Sequence, residues 1–247
     1  MAGDCSQPTP RRRYPAGVEL LIDGPLEGDF RWSIVVPERR PAASLATLLD
    51  DALARLDGGP VQLWIREVDD PADRTAREAG FEAYRDLWQL RCALPAAPSG
   101  LVTRAVTPDD LDEFVAVNNR AFHWHPEQGG RTRADVEATM AEPWFDPDGF
   151  RLLHGDDGTL VGFCWTKVHA DHQPPLGEIY VIAIDPSHHG HGLGGPMTLA
   201  GLEWLTARGL DHGMLYVESD NDAANATYQR IGFHHHHTDR AYRHPHR

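Results

Sequence analysis

No apolar run in the sequence is long enough to cross a bilayer; the longest, such as residues 179–184, fall far short of the roughly 20 residues a spanning helix requires. The amino terminus lacks the apolar segment of a secretory leader, since Met1-Ala-Gly-Asp-Cys5 runs on to Arg11, Arg12 and Arg13, and a cytoplasmic protein is expected. Cysteine is scarce. Cys5, Cys92 and Cys164 show no C-x-x-C spacing, which excludes a disulfide framework and a thiolate zinc centre. Cys164 sits in a strand-like Gly-Phe-Cys-Trp run and reads as a small core residue. Positive charge is also short: 23 Lys and Arg face 37 Asp and Glu, a formal net charge of −14. A nucleic-acid partner is excluded, because neutralising phosphates takes a basic face. A cationic substrate such as an amine is mildly favoured, and any polyanion must be held by local backbone amides instead of the overall field. Fifteen histidines are present, including the run 234–237, yet no H-E-x-x-H frame accompanies them. No metal is expected, and the run 234–237 receives no role.

With 247 residues and 41% hydrophobic composition, the chain can form one large domain or two small ones. Residues 1–15 are polar, basic and proline-bearing, and are expected to be a disordered tail. Over residues 16–95, strands are expected at 18–22, 30–36, 61–65 and 87–94. Helices are expected at 44–56, with Ser44 as N-cap, and at 73–79, ended by Gly80. Residues 96–100 are a linker by composition. The pattern then restarts over 101–247. Strands are expected at 102–106, 150–154, 160–169, 178–184, 214–218 and from 233. Helices are expected at 108–122, capped by Thr107, and at 133–141, 194–208 and 221–231. Both halves contain strand, helix, Gly-Phe, strand, with Gly80-Phe81 in one and Gly232-Phe233 in the other, which suggests a duplicated unit whose first copy is cut short.

The chemistry concentrates in YVIAIDPSHHGHGLG, residues 180–194. A strand enters a glycine-rich loop, and a helix begins at its end. Gly190, Gly192 and Gly194 let backbone N–H groups converge, and the helix start adds its dipole, so the segment suits a pyrophosphate. By itself such a loop could equally be a plain turn. Downstream, VESDNDAANATYQRIGF over 217–233 supplies a strand, an Asn, a helix bearing Tyr228, and Gly-Phe.

Together these segments resemble the second half of the GNAT acetyltransferases, over roughly residues 101–243. Within that superfamily, HPEQGG (125–130), WFDPDG (144–149), WTKVH (165–169), GEIYV (177–181) and LYVESDN (215–221) resemble the mycothiol synthases, which are tandem GNAT proteins. The resemblance implies an α/β fold of the α+β type with a mixed sheet, the GNAT acyl-CoA N-acyltransferase fold. A truncated, degenerate copy would precede the catalytic domain. It implies acetyl-CoA as co-substrate and, as acceptor, the cysteinyl amine of a cysteine–glucosamine–inositol conjugate, acted on by a monomer that binds neither nucleic acid nor membrane. In that family a splayed strand receives the pantetheine arm. Ile182, Ala183, Ile184, His189, Gly190, His191, Gly192, Leu193, Gly194 and Gly195 would contact the cofactor, with Asn221, Asp222, Ala223, Ala224, Asn225 and Ala226 at the next helix start. His189 and His191 stand where the family has Gln and basic residues. The would-be loop of the first copy, residues 37–44, has prolines and no glycine, so one cofactor site is expected.

The resemblance also assigns roles. A cysteinyl α-amine titrates near 7.7–8.0, so a modest base suffices to free it. Glu178 would be that base, Tyr228 would protonate the departing thiolate, and amides near Ile182 would polarise the acetyl carbonyl. Glu127, Lys167, Glu178 and Tyr216 would bind the sugar substrate. The residues alone leave blander alternatives open: Glu178 as a strand-end surface carboxylate, Tyr228 as a core aromatic, Lys167 as a solvated charge. The activity, too, has alternatives in a GNAT enzyme for another amine and in an acetyl-CoA-binding regulatory module.

Overall fold

The computed structural model describes residues 20–26, 28–37, 45–123 and 128–246. In chain order these hold β1 (Leu21–Asp23), β2 (Trp32–Val36), α1 (Leu45–Arg55), β3 (Val61–Ile65), α2 (Asp70–Glu78), β4 (Glu82–Ala93), β5 (Arg104–Ala105), α3 (Leu111–Ala121) and α4 (Arg133–Met140). There follow β6 (Phe150–His154), β7 (Leu160–His169), β8 (Leu176–Ile184), α5 (Gly194–Ala207), β9 (His212–Glu218), α6 (Asp222–Ile231) and β10 (His234–His244). Parallel and antiparallel pairs are mixed in the sheet, as the α+β expectation requires. Among the described residues, no helix is long and apolar enough to cross a membrane.

The chain divides into two compact units, and the division runs through β4 and β10. One unit gathers the described residues up to Trp88, together with 218–220 and 237–246. Its strands follow the order β1-β2-β3-β10-β4. β2 and β3 are parallel and joined through α1, whose Leu49 and Ala52 are buried on one face. The last strand of the chain completes this unit: β10 pairs antiparallel with β3 from Arg240↔Ile65 to His244↔Val61 and buries Tyr242 among Ile34, Leu63 and Phe81. α2 begins three residues before the expected 73, because Asp69 caps Ala72 N at 2.9 Å and Pro71 fits the first turn.

The other unit comprises 89–217 and 221–236, in the order β4-β9-β8-β7-β6-β5. Helix α5 covers one face of its sheet so closely that a β-carbon on Gly201 would lie 2.4 Å from Cys164 Sγ. Cys164 is thus a packed core residue. The opposite face buries α3 through Phe114 and Val117 against Phe150, Phe163, Trp165 and Tyr180, with Phe150 and Trp165 stacked at 4.4 Å. The strand expected at 102–106 shortens to Arg104–Ala105. The helix expected from 108 opens with a 3-10 turn, Pro108–Asp110, because Asp110 accepts from both Thr107 N and Arg104. The Gly-Phe stop recurs with the same geometry in both halves. Gly80 and Gly232 adopt φ of +88° and +107°, and Phe81 N and Phe233 N each donate to a carbonyl five residues back at 3.0 Å.

Candidate active site

β8 and β9 run parallel, but their ladder holds only at Gly177↔Gly213 and Glu178↔Met214. Beyond Glu178 the two strands part, although β8 continues to Ile184 and β9 to Glu218. On its other side β8 stays paired to β7 as far as Ile184↔Gly162. One edge of residues 179–184 is therefore left open, and a strand edge of this kind can take an extended ligand as an added strand. Ile182, Ala183 and Ile184 lie along it. A bulge shapes the edge. The pairing shifts between Trp165 and Thr166, opposite Tyr180, so that Tyr180 and Val181 both enter the α3-side core.

The loop follows the same strand. Asp185 accepts from Ser187 N at 2.9 Å, from Ser187 Oγ at 2.6 Å and from Arg120 Nε at 3.0 Å. Burial alone would raise its carboxyl, but these hydrogen bonds outweigh burial and hold the pKa at about 2. The charged carboxylate pins the turn that leads into the glycines, and His189 Nε2 adds a contact of 2.9 Å to Ile184 O. Gly190 and Gly192 take left-handed φ of +82° and +72°, which β-carbon-bearing residues resist. A β-carbon on Gly190, Gly192 or Gly194 would meet no atom within 4 Å, so the space over the loop is open. Gly194 and Gly195 are the first residues of α5, whose unpaired N–H groups face that end. α6 packs beside it through its middle, with Thr227 Cγ2 3.6 Å from the β-position of Gly195. Asn221 caps α6, accepting from Ala224 N at 3.2 Å, and Asn225 is buried while Asp222, Ala223 and Ala226 are exposed.

Glu178 is 2% exposed, which removes the surface-carboxylate alternative. It lies where β8 and β9 begin to part, and His169 Nε2 is 2.7 Å from its Oε2. Lys167 stands directly opposite Glu178 on β7. Its Nζ lies 4.6 Å from the Trp144 ring and 5.4 Å from the Tyr180 ring, a half-buried cation–π setting that a freely solvated charge would not adopt. It is the single lysine among 22 arginines. Met214 pairs with Glu178, so Tyr216, two residues on, falls on the same sheet face as Glu178 and Lys167. Its phenol oxygen accepts from Gln89 Nε2 at 2.7 Å, and Gln89 Oε1 in turn accepts from Arg91 Nε at 2.7 Å. Tyr228 is buried against Phe233, and burial, with a smaller contribution from Cys164, raises its hydroxyl pKa well above the usual tyrosine value. Glu127 and most of the loop 37–44 lie outside the described residues. Of the remaining candidates, the structure brings Lys167, Glu178 and Tyr216 together on one face, and it strings 182–184 and 189–195 along one strand, loop and helix. Gln89 and His169 were not singled out as site residues by the sequence. Neither stands in a spacing that distinguishes it from an ordinary strand residue.

The Acetyltransferase (GNAT) family profile matches residues 114–233. A mycothiol acetyltransferase of Nocardia farcinica is 44% identical over 240 residues, covering 92% of this chain and 78% of that protein. One from Mycolicibacterium vanbaalenii is 45% identical over 222 residues, covering 85% and 72%. Among solved structures, a GCN5-related N-acetyltransferase from Sphaerobacter thermophilus superposes with a TM-score of 0.65 at 21% identity, covering 91% of this chain and 76% of that one. A tandem GNAT protein from the clavulanic acid biosynthesis pathway gives 0.57 at 18%, covering 86% and 74%. The structural likenesses establish the fold, and the sequence identities establish more: the chain belongs to the mycothiol acetyltransferase family of GNAT N-acetyltransferases.

Proposed function

We propose that the chain transfers the acetyl group of acetyl-CoA to the cysteinyl amine of 1D-myo-inositol 2-(L-cysteinylamino)-2-deoxy-α-D-glucopyranoside, the step that yields mycothiol. One observation carries the reading. The β8–β9 ladder stops at Glu178, so a buried carboxylate, an open strand edge and a glycine loop follow one another on one stretch of chain. In this reading the pantetheine arm pairs along 182–184, the pyrophosphate lies over 189–195, and the start of α6, residues 221–226, borders the cofactor. The thioester carbonyl then lies at the amides near Ile182, beside Glu178. Glu178 takes a proton from the ammonium, the freed amine attacks the carbonyl carbon, and the C–S bond breaks as Tyr228 protonates the thiolate; the second proton, shed by the nitrogen as the amide forms, restores the Tyr228 hydroxyl. Lys167, Tyr216 and Glu127 would hold the polyhydroxylated acceptor. The enzyme is read as a cytoplasmic monomer with small-molecule partners, for which the net charge of −14 leaves no basic face for nucleic acid. Residues 16–95 are read as the truncated GNAT copy and 101–247 as the catalytic domain.

Acceptor choice tests the assignment. With acetyl-CoA and either acceptor, thiol release should favour the cysteinyl conjugate over glucosaminyl-inositol by orders of magnitude in kcat/KM. Equal turnover of the two would point to a GNAT enzyme for another amine, and no turnover of either to a regulatory binding module. Tyr228→Phe keeps the ring against Phe233 and removes only the hydroxyl. It should lower kcat by about tenfold, near the lower end of what a general acid contributes, because a thiolate already leaves fairly well. An unchanged kcat in single-turnover measurements, where product release is not limiting, would assign the thiolate's proton to water.

A further inference from the structure

The base assigned above is buried, and acetyl transfer from an ammonium releases one proton overall: R–NH3+ and acetyl–S–CoA become R–NH–acetyl, CoA–SH and H+. A carboxylate closed off from water that accepts this proton at every turnover must pass it to solvent before the next. We propose that His169 is the outlet, a positioning and proton-relay residue acting through Glu178; the inference rests on Glu178 being the base.

Four observations support it. His169 Nε2 is 2.7 Å from Glu178 Oε2. The Glu178 side chain is 3% exposed and that of His169 is 21% exposed, so the imidazole spans from the buried carboxylate to water. β7 places His169 two residues beyond Lys167, and Lys167 is the register partner of Glu178, so His169 is on the same sheet face at the strand's solvent end. Beyond it the His172 ring stands edge-on at 5.6 Å, on the turn that links β7 to β8. Among the described residues, the titratable and charged groups that face the pair include Lys167 on the same strand, Tyr180 on β8, Tyr216 on β9, and Asp171 and His172 on the turn. Imidazole suits the task because it accepts a proton on one nitrogen and releases one from the other, returning to the neutral ring. In balance, the amine proton passes to Glu178 Oε2 and from there to Nε2 of the Nδ1–H tautomer of His169; the Nδ1 proton leaves for water, and exchange with water returns the ring to the Nδ1–H tautomer before the next turnover. No bond other than N–H and O–H changes in the relay.

The test uses the full chain with acetyl-CoA and the cysteinyl conjugate. His169→Gln retains an amide donor for Glu178 and cannot relay. It should leave both KM values within about twofold and lower kcat about 10- to 100-fold, less than the 10²–10⁴ worth of the base itself. Added imidazole should restore kcat in His169→Ala, in proportion to its concentration, and should leave the unaltered enzyme unaffected. Wild-type kcat in His169→Gln, or a loss that imidazole cannot restore, overturns the relay. Glu178→Gln separates the two readings. If Glu178→Gln is inactive and His169→Gln fully active, the base stands and the relay fails. If Glu178→Gln is active, the base reading fails first.

Discussion

Glu178→Ala is expected to lower kcat by about 10²–10⁴-fold, the usual worth of a general base, with little change in the KM for acetyl-CoA. The size follows from chemistry and the selectivity from geometry. At neutral pH most of a cysteinyl amine is protonated, and an ammonium has no lone pair to attack a thioester. Glu178 sits at the mouth of the β8–β9 opening, whereas the loop that would hold the cofactor's phosphates begins beyond Ile184. Loss of the carboxylate therefore strikes deprotonation and leaves the phosphate site alone. The variant should fold, because the substitution removes a buried charge along with the need to satisfy it, and leaves a partly exposed imidazole that water can reach. Glu178→Gln, which preserves volume, controls for the cavity. Steady-state kinetics on both variants, with thermal melts to confirm folding, is the measurement. Near wild-type turnover in folded Glu178→Ala would falsify the assignment.

Gly192→Val is expected to abolish acetyl-CoA binding without unfolding the chain. Two costs act together. At φ +72° a β-carbon meets its own backbone, which costs about 1–2 kcal/mol and more for a β-branched side chain. The loop can shift to relieve this strain, but the shift turns its amides away from their common focus. The side chain also enters the open space above the loop, where nothing lies within 4 Å of its first carbon and where a pyrophosphate would sit. Gly192→Ala carries the backbone cost with less bulk and should weaken binding to an intermediate degree. Titration calorimetry is the readout. The unaltered chain should bind close to one acetyl-CoA, and Gly192→Val should give no binding heat. A stoichiometry near two, or binding that survives the valine, would assign a working site to the N-terminal half despite the prolines at 37 and 41.

The glycine loop was legible in the sequence because its conformation is a backbone property. Few residues other than glycine take positive φ cheaply, so Gly190 and Gly192 announce their torsions without any knowledge of neighbours. The same holds for the paired Gly-Phe helix stops, which act within a few residues of chain. The order of strands and helices was legible for a similar reason, since apolar periodicity records which face of each element is buried. Its limits were less so. α2 starts at Asp70 because a single side chain, Asp69, caps it, and β4 begins at Glu82, well before the apolar stretch that signalled it, because strand length is set by the partners alongside.

Contacts between residues far apart in the chain are another matter. Gln89 holds Tyr216 across 127 positions, and a glutamine in a strand carries no mark of such a partner. The cation–π seat of Lys167 needs Trp144 and Tyr180 from separate segments. That β10 would complete the core around β3 is a matter of pairing between the two ends of the chain. Most consequential is the parting of β8 from β9. Each strand by itself has ordinary composition, and whether their ladder continues past Glu178 depends on the bulge at Tyr180 and on what packs against each face. The sequence by itself therefore determined the glycine-rich loop and its torsions, the element order and the identity of the acid and base candidates, because torsional preference and amphipathic pattern are local. Only the tertiary structure decided where the strands separate, which residues surround Glu178 and how its proton could leave, because pairing and burial arise only when distant segments meet.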